Sequence, residues 1–173
     1  MEKITAEQKL FNLINYLNNH QSKKSMMVEL KRLNESNYYK SLYFWSCIKV
    51  VSPEEEISDK ELNMWLLLIP MIVSLDCFSV VERDKRVSYG KMLAESNLSE
   101  ARFLRLINAN GDQLVDAIRP TIPFIKGHSL IKSMNWLDIV YLLLTDETDY
   151  EEDHRKKIAK DYYAVILDYS TKN

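Results

Sequence analysis

Apolar residues recur along this chain at steps of three and four. Ala6, Leu10, Leu13, Ile14 and Leu17 follow that rhythm, as do Met26, Leu30 and Leu33. A period near 3.6 gathers such residues on one side of a helix, whereas a strand turns alternate residues to opposite faces. No stretch alternates with period two, so the chain is expected to be all-α. Turn chemistry points the same way: three glycines and four prolines in 173 residues leave little for hairpins.

Helices are expected from about Ala6 to Leu17 and from about Ser25 to Glu35. The segment "YYKSLYFWSCIKVV" (38–51) reads as a largely buried aromatic helix. A Ser58/Glu61 capping box opens the next one, which runs through Trp65 and Leu68 toward Phe78, with Pro70 expected to kink or interrupt it. The run "MWLLLIPMIVSL" (64–75) is too short for a membrane span, which needs roughly 20 residues, and reads as a buried core helix. Ser88 to Glu95 starts a second group. Helices then follow from near Leu98 to Asn108 behind an Asn97/Glu100 capping box, and from Asp112 to a region disturbed by Pro120 and Pro123. The last two run from Trp136 to Leu144 behind an Asn135 cap, and from about Glu151 to Tyr169. Two packed helix groups result: an N-terminal helical subdomain over 1–86 and a C-terminal bundle of four to five helices over 87–173.

Within "SEARFLRLINA" (99–109), about 100° per residue puts Phe103, Leu104 and Ile107 on one side and Arg102 with Arg105 on the other. The last helix has the same layout: Ile158, Tyr162, Val165, Ile166 and Tyr169 form its core stripe, and Lys156, Lys157 and Lys160 gather opposite. Phe103, Leu104, Trp136 and Tyr162 are therefore expected in the core.

Charge is segregated although the net is only -2. Residues 1–50 carry eight Lys or Arg against four acids, and residues 85–132 carry eight against four. Acids concentrate in 54–61 and in "DETDYEED" (146–153), both read as solvated connectors. The net of +4 over 85–132 and of -4 over 133–173 makes a head-to-tail pairing of two copies electrostatically complementary.

Catalytic chemistry is not indicated. His20, His128 and His154 lie far from one another and from both cysteines, without metal-ligand spacing. Ser88 to Lys91 spells S-x-x-K, but neither S-D-N nor K-T-G follows. No glycine-rich loop can cradle a phosphate, and the 146–153 run lacks the central glycine of a calcium loop. No cofactor or metal is expected. Cys47 and Cys77, distant in sequence and with no signal-peptide start before them, are expected as buried thiols of a cytoplasmic protein.

The segments "SYGKMLAE", "SEARFLRLINA", "DAIRPTIPFIK", "NWLDIVYLLL" and "RKKIAKDYY" follow in that order, preceded by "MVELKRLNES". On these residues, over roughly 23–40 and 88–166, the chain resembles the CasB family, the small subunit of the type I-E CRISPR Cascade surveillance complex. The resemblance implies a helical subunit without catalytic activity, present as a head-to-tail pair among other Cascade subunits. It also implies contact with guide RNA and target DNA, especially the displaced single strand. Carried over by position, the nucleic-acid-binding residues are Lys31, Arg32, Lys91, Arg102, Arg105, Arg119, Lys126, Lys156, Lys157 and Lys160. Lys and Arg rows on rigid helices suit a role that follows a phosphate backbone without reading sequence. Taken without the resemblance, the same rows fit solvated faces of a helical structural or adaptor protein.

Overall fold

The computed structural model describes residues 4–53, 56–78, 85–144 and 149–171, and the chain is all-α. It divides into two compact units, Met1–Val80 and Val81–Asn173. Among the described residues the sole strand-like feature is an isolated bridge between Val87 and Met134. No described helix is long and apolar enough to cross a membrane.

The first unit consists of α1 (Ala6–His20), α2 (Lys24–Lys31), α3 (Leu42–Val51) and α4 (Asp59–Ser74). α1 packs on α3, and α2 packs on both α3 and α4. α4 is its hydrophobic centre, with Met64–Ile69 and Met71–Val73 all buried. It opens as expected, the Ser58 hydroxyl accepting from the Glu61 amide at 3.2 Å. It then runs through Pro70 without interruption, because burial on nearly every side holds a helix that local propensity would weaken. The helix stops at Ser74, short of Phe78, as Asp76 turns into the left-handed region at φ 54°.

Two expectations for this unit need correction. α2 ends at Lys31 rather than Glu35, since Asn34 and Asn37 build a side-chain-bonded turn: Asn37 Oδ1 accepts from the Asn34 amide at 2.8 Å. The 38–51 segment is broken at Ser41, whose hydroxyl accepts from the Phe44 amide, so a short 3-10 turn over Tyr38–Lys40 precedes α3. Only part of its aromatic surface is buried. Phe44 is in the core, whereas Tyr39, Leu42 and Trp45 are exposed.

The second unit contains α5 (Tyr89–Glu95), α6 (Glu100–Ile107), α7 (Gly111–Ile118), α8 (Ile122–Ile125), α9 (Trp136–Leu144) and α10 (Asp149–Thr171). α10 packs along α5 and α9. Pro120 and Pro123 do disturb the chain: Arg119–Thr121 forms a 3-10 turn between α7 and α8, with a proline in the opening positions of each new element. Phe103, Trp136 and Tyr162 are core residues, and in the first unit Cys47 and Cys77 are buried and form no disulfide.

Five further corrections concern this unit. Leu104 is 42 % exposed, because the buried side of α6 is the Phe103–Leu106 stripe that faces Tyr162. Asn97 does not cap α6; at φ 59° it closes the end of α5, and Ser99 takes the N-cap position. Asn135 does not cap α9 by accepting, since its amide donates to Asp138 Oδ1 at 2.7 Å. Tyr169 is exposed: α10 spans about 34 Å at 1.5 Å per residue, so its last turns overrun the seven-residue α5. The acidic run 146–153 lies partly outside the described residues, and from Asp149 onward it is the start of α10 rather than a connector.

Candidate nucleic-acid interface

α6 carries the strongest pair of candidates. Its buried edge is anchored by Phe103, on which the Tyr162 ring of α10 stacks at a centroid distance of 3.8 Å, and its C-terminal carbonyls are tied down by Arg155. That guanidinium donates to the carbonyls of Ile107 and of Ala109, the latter at 2.7 Å, and to Asn110 Oδ1 at 2.9 Å. A cation bonded to the last carbonyls of a helix stabilises that end, so Arg155 acts as a structural residue. Fixed in this way, α6 turns Arg102 and Arg105 outward, and both are exposed as their helical phase requires.

The two arginines are not isolated on a flat surface. With Leu98, Asp116, Pro120 and Phe124 they line a groove of about 280 Å³ between α6 and the α7–α8 turn. The Arg102 guanidinium lies over the Phe124 ring, 4.8 Å from its centroid, a cation–π contact that limits the freedom of a long side chain. The groove floor is rigid. Buried Thr121 donates to the Ile118 carbonyl at 2.7 Å and shares a 2.8 Å hydrogen bond with the Tyr89 hydroxyl. Arg119, at the start of the turn between α7 and α8, and Lys126, just past the end of α8, are also exposed.

The remaining candidates of this unit stand differently. Lys91 is 3.7 Å from Glu95 one turn along α5, and Lys156 is 2.7 Å from Glu152 on α10. Lys157 lies between Asp161 at 3.4 Å and buried Asp138 at 3.6 Å. Lys160 is exposed on α10. Ser88, the first residue of the S-x-x-K pattern, has a plain local role: its hydroxyl accepts from the Lys91 amide at 3.3 Å and caps α5.

In the first unit, Lys31 and Arg32 end α2 and are both exposed, but they diverge. Arg32 borders an open groove with Lys24 and Val28, residues four apart on one stripe of α2, and with Lys40 across it. Lys31 is not part of that groove. Sequence reasoning missed Lys24, Lys40 and Phe124. The four-residue repeat Lys24–Val28–Arg32 was a readable signal for Lys24, whereas the contact of Phe124 with Arg102 depends on how the two prolines fold the α7–α8 turn back.

All ten candidate residues lie within the span 27–163, over which the chain matches the family model of CRISPR-associated protein Cse2. The chain belongs to the Cse2 family. No curated protein and no solved structure gives a significant match. Cse2, or CasB, is the small subunit of type I-E Cascade, so this chain is a Cascade small subunit and other Cascade subunits are its partners. The match leaves out α1 and the last turns of α10, the part of α10 that overruns its own packing partner.

Proposed function

We propose that this Cse2-family chain is a non-catalytic subunit that stabilises the R-loop by holding the displaced DNA strand on its basic helix faces. The single observation that carries the reading is the pair Arg102 and Arg105, exposed side by side on a helix anchored from behind, one of them laid on an aromatic ring. Arginines held in place lose less entropy on meeting a phosphate, and their planar forks suit phosphate oxygens. Arg119, Lys126 and Lys160 extend the basic surface of the second unit, and Lys31 and Arg32 supply that of the first. The subunit acts in the cytoplasm beside guide RNA and target DNA. It pairs head to tail with a second copy of itself, the +4 segment 85–132 meeting the -4 segment 133–173.

A second reading, a solvated face without nucleic acid, is favoured for three residues. Lys91, Lys156 and Lys157 each have a carboxylate of the chain itself within 4 Å, so part of their charge is already neutralised.

The test is the affinity of assembled Cascade for target DNA at several salt concentrations, wild type beside the Arg102→Ala/Arg105→Ala variant. Folding should hold, while affinity falls for all sequences alike. The log–log salt slope should decrease by roughly 0.7 for each single-strand phosphate that is no longer neutralised. Unchanged affinity with an unchanged slope would return both arginines to the solvated reading. Two copies of the chain per complex are expected, and a single copy would overturn the head-to-tail pair.

A further inference from the structure

A groove built only to follow phosphates has no use for a carboxylate, yet Asp116 lines the Arg102–Arg105 groove. It is exposed and forms no ion pair with either arginine among the described residues. Beside a phosphodiester it would repel. Phe124 does more here than restrain Arg102: it is half-buried in the wall of the groove, where a flat apolar surface can also meet a base. We infer that this groove is a nucleobase site: one unstacked base of the bound strand lies against Phe124 and the Arg102 guanidinium, with Asp116 accepting a hydrogen bond from the base's exocyclic amine.

Each part of the groove then has a partner. A flat guanidinium and an aromatic ring are the two surfaces on which splayed bases stack in single-strand binders. Arg105, at the same groove, meets the phosphate of that nucleotide. A carboxylate accepts from the N4 amine of cytosine, whereas thymine presents a carbonyl at the same position and is repelled. Paired bases in a duplex cannot enter such a groove, so the site selects single strands and among pyrimidines prefers dC to dT.

This inference rests on the strand-binding reading, and the test separates the two. Full-length protein is titrated by fluorescence anisotropy with three labelled strands of equal length: oligo-dC, oligo-dT and an abasic deoxyribose-phosphate strand. dC should bind about fivefold or more tighter than dT. The abasic strand should bind weaker than dT by roughly 5- to 150-fold, the range spanned by removal of one stacked base. Asp116→Ala should erase the dC preference while raising affinity for dT, because a repulsive charge leaves the groove. Phe124→Leu, which keeps an apolar side chain on the half-buried position, should bring dT close to the abasic strand without changing the salt slope. Equal binding of all three strands would overturn the base site and leave phosphate binding standing, and so would a dC preference that survives Asp116→Ala. Binding of none of them would overturn the strand-binding reading and the base site with it.

Discussion

The Tyr162 ring lies parallel to that of Phe103, the planes within 1° and the centroids 3.8 Å apart, while its hydroxyl donates to the Leu98 carbonyl at 2.6 Å. One side chain of α10 therefore fixes both the face and the N-terminal approach of α6. Tyr162→Phe keeps the ring and leaves a buried carbonyl unpaired, which should cost about 1–3 kcal/mol. Tyr162→Ala removes the ring as well and should cost about 3–5 kcal/mol. Urea unfolding of both variants checks the order, and a Phe variant as damaging as the Ala variant would contradict it.

Leu104 and Leu106 make a sharper comparison, because they are chemically identical and two residues apart on α6. Leu106 is 1 % exposed and Leu104 is 42 % exposed. Leu106→Ala should lose about 2–5 kcal/mol and Leu104→Ala no more than about 0.5 kcal/mol. Equal losses would mean that α6 is rotated from the position described.

The error over Leu104 shows what the sequence withholds. Helix type was legible because the three-four spacing is a property of the chain itself, and α9 begins at Trp136 and ends at Leu144 as that spacing requires. The phase of an eight-residue helix is less determined. In α6 the apolar residues 103, 104, 106 and 107 span more arc than one neighbour can cover, and only the position of Tyr162, about sixty residues away, selects 103 and 106. The candidate site divides in the same way. Exposure of Arg102 and Arg105 follows from local geometry, but the groove around them depends on the fold of the α7–α8 turn, and the ion pair of Lys157 with Asp138 depends on a carboxylate of α9.

Lys9 is a buried charge that the first-helix pattern concealed, since a lysine next to Leu10 reads as solvent-facing. Its ammonium donates to Glu61 Oε1 at 3.0 Å and to Ser52 Oγ at 3.3 Å, and the Trp65 indole donates to the same glutamate oxygen. Glu61→Ala removes a carboxylate that the buried ammonium contacts and should cost about 3–5 kcal/mol. Adding Lys9→Met to that variant should recover most of the loss, because a thioether needs no counter-charge there. A double variant less stable than Glu61→Ala alone would show that Lys9 contributes through contacts other than this pair.

Gly90 faces the backbone of α10. A Cβ at this position would collide with the Ile158 carbonyl, which is main chain and cannot turn aside. The close approach lets α5 and α10 bury Met92, Leu93 and Ile158 together. Gly90→Ala should therefore destabilise the second unit by about 1–3 kcal/mol, the range for overpacking, although alanine favours helix. A thermal midpoint raised by the substitution would contradict the close approach.

Asp138 joins three helices of the second unit. Its Oδ2 accepts from the Tyr89 amide at the start of α5, its Oδ1 accepts from Asn135, and Lys157 of α10 stands 3.6 Å away with Asp161 beyond it. Burial raises its pKa above the ordinary carboxylate value, and the Tyr89 and Lys157 contacts oppose that rise only in part. A carboxyl held higher in the folded chain than in the unfolded one takes up its proton first when folded. Stability contributed by this group is thus greatest below 3.8, falls as pH rises through the raised value, and is level above it. Asp138→Asn cannot titrate. Thermal midpoints of the two proteins, followed from about pH 4 to about pH 8, should show wild type losing ground to the Asn variant with rising pH and then holding a constant offset. An offset independent of pH over the whole range would show that Asp138 keeps an ordinary pKa despite its burial.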